Sequence, residues 1–148
     1  MALETNFDAG DDLFVGEDKH LIIGGGPNVD GNSYHVLEHP GSGSSAVVNV
    51  AAFAMEFAIR TELDDASPVF TVVTGGDITV TGVYNVAQGS NTQAVDVFIT
   101  DTNSLLLLPE FAAGEVTKTF YWALKRTDAG LETVIAHGTM VWKLAATR

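Results

Sequence analysis

The chain predicts an all-β fold, a single antiparallel β-sandwich. Three observations carry this. Apolar and polar side chains alternate along several short stretches, the period of a half-buried strand. Clusters of Gly, Pro, Asp and Asn punctuate those stretches with turn chemistry. The 148 residues suit one core, with no internal repeat and no linker long enough to divide domains. Seven or more short strands separated by such turns imply two packed sheets.

Taken in order, residues 1–11 are acidic and aperiodic, and read as an extended N-terminal arm that orders only on a partner. Residues 12–148 form the sandwich domain. Leu13 to Ile23 holds one or two short strands interrupted by Gly16-Glu17-Asp18. Gly24-Gly25-Gly26-Pro27 breaks the sheet and opens a long Gly/Ser-rich insertion at 24–46. Within it, Tyr34 to Leu37 reads as a short strand and His39 to Ser45 as a loop. Val47 to Arg60 is the clearest strand. Phe53, Met55, Phe57 and Ile59 point one way; Ala52, Ala54, Glu56, Ala58 and Arg60 point the other. A helix competes there, since Ala, Met and Glu favour helices, but the strict alternation and aromatic content favour a strand.

Asp64-Asp65-Ala66-Ser67-Pro68 is a turn. Val69 to Val73 and Ile78 to Val83 follow as strands, split by Gly75-Gly76. Ala94 to Thr100 is another, with Val95, Val97 and Ile99 on one face. Asp101 to Ser104 has the residues of a cap for one helical turn at Leu105 to Leu108. The last element is a hairpin. Phe120, Trp122 and Leu124 alternate with Tyr121, Ala123 and Lys125, Thr127 to Gly130 supplies the turn, and the return strand runs from Glu132 to Lys143. The core expected from this phase is Phe53, Phe57, Ile59, Val97, Phe120, Trp122 and Leu124, on facing sheets.

Composition narrows function. Seven basic against 19 acidic residues give a formal charge of −12. Phosphates would be repelled, so nucleic acid is not an expected partner. No apolar run approaches the roughly 20 residues of a membrane helix, and a membrane is not expected either. The opening residues lack the basic and apolar regions of a secretion signal. With no cysteine, neither disulfides nor thiolate metal sites arise. These features suit assembly in a bacterial cytoplasm. From Glu4 to Glu38, Lys19 is the only basic residue among eight acidic ones. Such a segment is either a solvated surface or an acidic arm that docks on a basic partner.

No constellation supports catalysis. Gly24-Gly25-Gly26-Pro27-Asn28 lacks the Lys-Ser/Thr and the helix of a phosphate loop. Asn28-x-Asp30-x-Asn32 opens like a calcium loop, yet its sixth and twelfth positions are Ser33 and His39 instead of Gly and Glu. His35 and His39 would share a face only on a helix, which Pro40 and the Gly/Ser run oppose. His20 and His137 lie in predicted strands as ordinary histidines. The adjacent pairs Asp11-Asp12 and Asp64-Asp65 point apart along an extended chain, so neither acts jointly on one bond. Gly41 to Ser45 lacks the strand-turn-helix context of a nucleophile elbow. No catalytic residue, cofactor or metal is expected. Trp122, Trp142, Tyr121, Phe120 and Tyr84 are candidates for a sugar-stacking platform, although aromatics at strand spacing are more often core.

Three stretches carry a resemblance. "VGEDKHLII" (Val15 to Ile23), "FAMEFAIRTELDDASPVFTVVTGGDITVTG" (Phe53 to Gly82) and "YWALKRTDAGLETVIAHGTMVW" (Tyr121 to Trp142) occur in the order and spacing of small structural proteins of tailed bacteriophages. The chain resembles that group over most of residues 15–145, and departs from it between Gly24 and Ala46, where a long segment replaces a short loop. The group is similar to the immunoglobulin-like domains of phage head decoration and baseplate accessory proteins. The resemblance implies an immunoglobulin-like sandwich and a non-enzymatic place in the virion.

The expectation is therefore a capsid decoration or cement protein that binds the major capsid protein or other virion proteins and forms a homo-oligomer. Small size, acidity and the extended arm favour the head. A tail, baseplate or fibre-attachment module is the runner-up, and a glycan-binding sandwich the third reading. The candidate partner-binding residues are Glu4, Phe7, Asp8, Asp11 and Asp12 on the arm, and Tyr34, His35 and His39 in the insertion.

Overall fold

The computed structural model describes residues 3–4, 6–7, 12–24, 37–38, 46–47, 49–86, 90–128 and 133–144. The fold is mostly β, with two main sheets and one short helix. The larger sheet has the order β1 (Leu3–Glu4), β10 (Thr133–Lys143), β9 (Thr117–Arg126), β5 (Met55–Arg60) and β6 (Phe70–Val73). It is antiparallel except for β1, which joins β10 in parallel. The smaller sheet is antiparallel, in the order β2 (Lys19–Gly24), β8 (Ala94–Ile99), β7 (Ile78–Thr81). A separate two-stranded ribbon pairs β3 (Leu37–Glu38) with β4 (Ala46–Val47).

Both main sheets feed one core. On β5 and β9 the period-2 pattern holds as the sequence predicts. Phe57 lies opposite Leu124 and Ile59 opposite Trp122, with all four buried. Leu21, Ile23, Ile78, Val95, Val97 and Ile99 of the smaller sheet belong to the same buried cluster. Phe57 stacks on Trp122 at 5.5 Å between ring centroids and 25° between planes. Each such side chain contributes about 1.5–3 kcal/mol by leaving water.

The expected core needs one correction. Phe57, Ile59, Val97, Phe120, Trp122 and Leu124 are buried, but Phe53 is only half-buried. The reason is local. A turn at Ala51-Ala52, with Phe53 N–H bonded to the Val50 carbonyl at 3.0 Å, divides the predicted Val47–Arg60 strand into β4 and β5. Phe53 is thereby left at the rim of the core, with the Arg126 guanidinium 3.8 Å from its ring centroid. The neighbouring Asp128 accepts a hydrogen bond from Arg126 at 2.6 Å, which holds its carboxyl below the usual range.

Two connections fix the path of the chain, one between the sheets and one within the smaller sheet. After β6, Thr74 still pairs with β5: its N–H reaches the Met55 carbonyl at 3.1 Å and its hydroxyl accepts from Met55 N–H at 2.8 Å. Gly75, at φ 90°, then turns the chain, and the Asp77 carbonyl accepts from Phe98 N–H on β8 at 2.8 Å. One short bend so carries a strand from the larger sheet to the smaller, the usual device at a sheet corner. The second connection closes with Gly82, at φ 73°. A Cβ there would sit 2.0 Å from the Thr92 carbonyl oxygen, while Val83 and Thr92 exchange hydrogen bonds beside it.

The helical turn begins earlier than the sequence suggests. Thr100 is the cap, its hydroxyl accepting from Asn103 N–H at 3.1 Å. Asp101–Ser104 is the helix α1 itself, and Leu105–Glu110 continues as a 3-10 helix that buries Leu107. Ser104 ties this segment to the loop before β2 by accepting from Gly16 N–H at 2.8 Å. Residues 129 and 130 of the predicted Thr127–Gly130 hairpin turn and most of the 24–46 insertion lie outside the described residues.

Two substitutions check this packing by urea unfolding. Phe57→Ala should cost about 3–5 kcal/mol, through lost transfer energy and a cavity, and Phe53→Ala distinctly less. Gly82→Ala should cost about 1–3 kcal/mol, because it combines a strained φ with a backbone clash that no side-chain rotation relieves.

Candidate interaction site

The first surface is the free side of β10. A strand edge left bare offers unpaired N–H and C=O groups to any other strand. Here the N-terminal segment occupies it. Leu3 and Glu4 lie opposite Ala136 and His137. Phe7 N–H reaches the Thr139 carbonyl at 2.9 Å, and Val141 N–H reaches the Phe7 carbonyl at 2.8 Å. Further along, Lys143 N–H bonds the Leu13 carbonyl at 2.8 Å and Val15 N–H the Lys143 carbonyl at 3.0 Å. Asn6 adds a side-chain substitute for a backbone acceptor, taking Thr139 N–H at 2.8 Å. Leu13 and Val15 turn inward and are buried. The Phe7 ring packs on Trp122, 5.8 Å between centroids.

This changes the reading of the arm as a segment that orders only on a partner. At the residues described, it is ordered on the chain's own sheet. Phe7, expected to meet a partner, is half-buried against the core. Asp12 adopts φ 54°, and its carboxylate, 74% exposed, pairs with Lys143 at 3.3 Å. An ion pair this exposed contributes about 0–1 kcal/mol. Glu4 is placed at the sheet edge by its pairing. Asp8, Asp11, Tyr34, His35 and His39 lie outside the described residues, as does the calcium-like Asn28-x-Asp30-x-Asn32.

The second surface is the outer face of the larger sheet, which sequence reasoning did not single out. Alternation that turns Phe57, Ile59, Phe120, Trp122 and Leu124 inward turns Ala58, Arg60, Tyr121 and Ala123 outward. Ala58 and Ala123 are direct cross-strand neighbours, and Ala123 faces His137. Ala58 is buried, and the small side chain of Ala123 on the sheet's face leaves a depression. It measures about 400 Å³ and is bordered by Arg60, Leu63, Tyr121, Val134 and His137. Leu63 and Val134 are 78% and 43% exposed. Arg60 donates through Nε to the Asp65 carbonyl at 3.1 Å.

Among the described residues no three His, Cys, Asp or Glu side chains gather to hold a metal ion. Asp65 is a turn residue, its carboxylate accepting from the Thr61 hydroxyl at 2.5 Å and from Glu62 N–H at 3.2 Å. His20 pairs with Asp96 at 2.8 Å and stacks on Phe98, 4.4 Å between centroids, on the smaller sheet. Of the aromatics considered for a sugar platform, Phe120, Trp122 and Trp142 are buried in the core, so they present no surface to a ligand. Comparison with protein-family models, with curated proteins and with solved structures finds no match for this chain.

Phe7→Ala should lower stability by about 1–3 kcal/mol, less than truncation of a fully buried Phe. Amide exchange should speed up selectively at Thr139 and Val141, whose N–H groups the segment holds. Unchanged exchange at those two positions would mean that the segment does not lie on β10 in solution.

Proposed function

We propose that this chain is a non-enzymatic structural component of a tailed-phage virion, built on an immunoglobulin-like β-sandwich. The observation that carries the reading is the placement of the three family-like stretches. "VGEDKHLII" enters β2, "FAMEFAIR" contains β5, "FTVVTGGDITVTG" spans the β6–β7 crossing, and the final stretch takes in the second half of β9 and most of β10. Each stretch thus includes framework strand, and the second also includes the bend between sheets. The strand order supports the sandwich reading too. With β2, β5, β7, β8, β9 and β10 lettered B, C, D, E, F and G, one sheet runs G-F-C and the other B-E-D, the division of an immunoglobulin sandwich. Strands β1 and β6 extend the first sheet at either side.

Within the virion, the role proposed is capsid decoration, stabilising the head by binding the major capsid protein. Acidity and small size support it, since a domain of charge −12 is suited to a basic shell surface. A tail, baseplate or fibre-attachment module is the second reading. One observation favours it: Leu3, Glu4 and Phe7 pair along β10, so the described part of the acidic arm that pointed to the head is engaged on the chain's own sheet.

Electron cryomicroscopy of the particle tests both. Density for the domain over the shell, in icosahedral copies, is the expected result. Density at the tail or baseplate would replace decoration by the second reading. Absence of the chain from purified particles would overturn the virion assignment.

A further inference from the structure

We propose that the outer face of the larger sheet is a self-association surface, on which two copies of this chain meet about a twofold axis. The proposal stands independently of the virion reading. An isologous interface brings one patch against itself, so that patch must carry both a projection and a recess, and both signs of charge. This face does.

The recess is the depression of about 400 Å³ over Ala123, between Arg60 and Tyr121 on one side and His137 on the other. The projection is Leu63 at its rim, 78% exposed. Leu63 sits on a turn held by the Thr61–Asp65 hydrogen bond at 2.5 Å and by Asp65 on Glu62 N–H at 3.2 Å. A braced turn presents its apolar side chain with little further ordering cost on binding.

Charge complementarity selects the occupant. Lys118, Lys125, Arg126 and Lys143 each have a carboxylate partner within their own chain. Among the described residues no such pair engages Arg60, and none engages the exposed Glu62 and Asp64 that flank Leu63. A twofold rotation seats each Leu63 in the other copy's recess and brings Glu62 and Asp64 to the other copy's Arg60. Two chains of charge −12 repel at long range. At physiological salt the Debye length is about 8 Å, so the long-range repulsion is screened while close pairs persist. Association should therefore strengthen from low to physiological salt.

Sedimentation velocity of the full chain, from micromolar to near-millimolar concentration, tests this. A reversible, concentration-dependent dimer is expected. Leu63→Glu and Arg60→Glu should each raise the dissociation constant by about tenfold or more, as loss of an interface anchor does, with unchanged circular dichroism. Combining Arg60→Glu with Glu62→Arg and Asp64→Arg should regain the dimer. A chain that stays monomeric throughout, a dimer indifferent to both single substitutions, or failure of the reversed-charge variant to re-form it would overturn the proposal.

Discussion

The register of β5 on β9 is the constraint on which the rest depends. It sets Phe57 against Leu124 and Ile59 against Trp122 on one face, and Ala58 against Ala123 and Arg60 against Tyr121 on the other. Side chains alternate with period two, so a slip of one residue would exchange the faces completely. If β5 slipped, Glu56 and Arg60 would enter the core while Met55, Phe57 and Ile59 met water. At about 1.5–3 kcal/mol for each apolar side chain exposed, the slip would cost about as much as a domain's whole stability of roughly 5–15 kcal/mol. The core therefore fixes the register. The depression on the outer face follows from it, because the small residue left at its floor is Ala123.

The same sheet has to end somewhere. β9 is paired on both sides, by β5 and β10. β10 would otherwise be an open edge, and Leu3, Glu4, Phe7 and Phe14 cover it in parallel. Leu13, Val15 and Phe7 couple this cover to the core, so the segment is held by apolar contact as well as by the ladder. Edge closure and core formation are thus one event on this side of the molecule. The opposite edge, β6, is short and passes at once through Gly75 into the smaller sheet, which limits the backbone it leaves bare.

How much of this is legible in the sequence depends on the range of the cause. Alternation is local, so β5, β6, β7, β8, β9 and β10 can be read from it, as can the Gly75-Gly76 break. The bounds of β5 cannot, because a turn at Ala51-Ala52 carries no Gly or Pro to mark it. The pairing of Leu3, Glu4, Phe7 and Phe14 with β10 is also hidden. Parallel addition to an edge strand far away in sequence needs no local pattern, and the segment's acidic composition resembles that of a free arm. The depression over Ala123 is invisible for a related reason: this alanine is unremarked in its own strand, and only its neighbours from other elements, Arg60, Leu63 and His137, make the walls of a recess. The bulge on β10 between Val134 and Ala136, which sets Val134 at the rim, belongs to the same class of non-local features.

The face assignment of β5 and β9 is open to a direct covalent test, since the chain has no cysteine of its own. Ala58→Cys combined with Ala123→Cys places two thiols on directly opposed residues. Neighbours of that kind approach within the roughly 4.4–6.8 Å between Cα atoms that a disulfide requires. Diagonal partners, such as Ala58→Cys with Lys125→Cys, stand about 7–8 Å apart and should not close. The measurement is the rate of cross-linking under mild oxidation in the folded protein. Rapid closure of the 58–123 pair, with the 58–125 pair remaining reduced, is the predicted result. Closure of 58–125 in preference to 58–123 would contradict the register, and with it the common origin of the core and the outer recess.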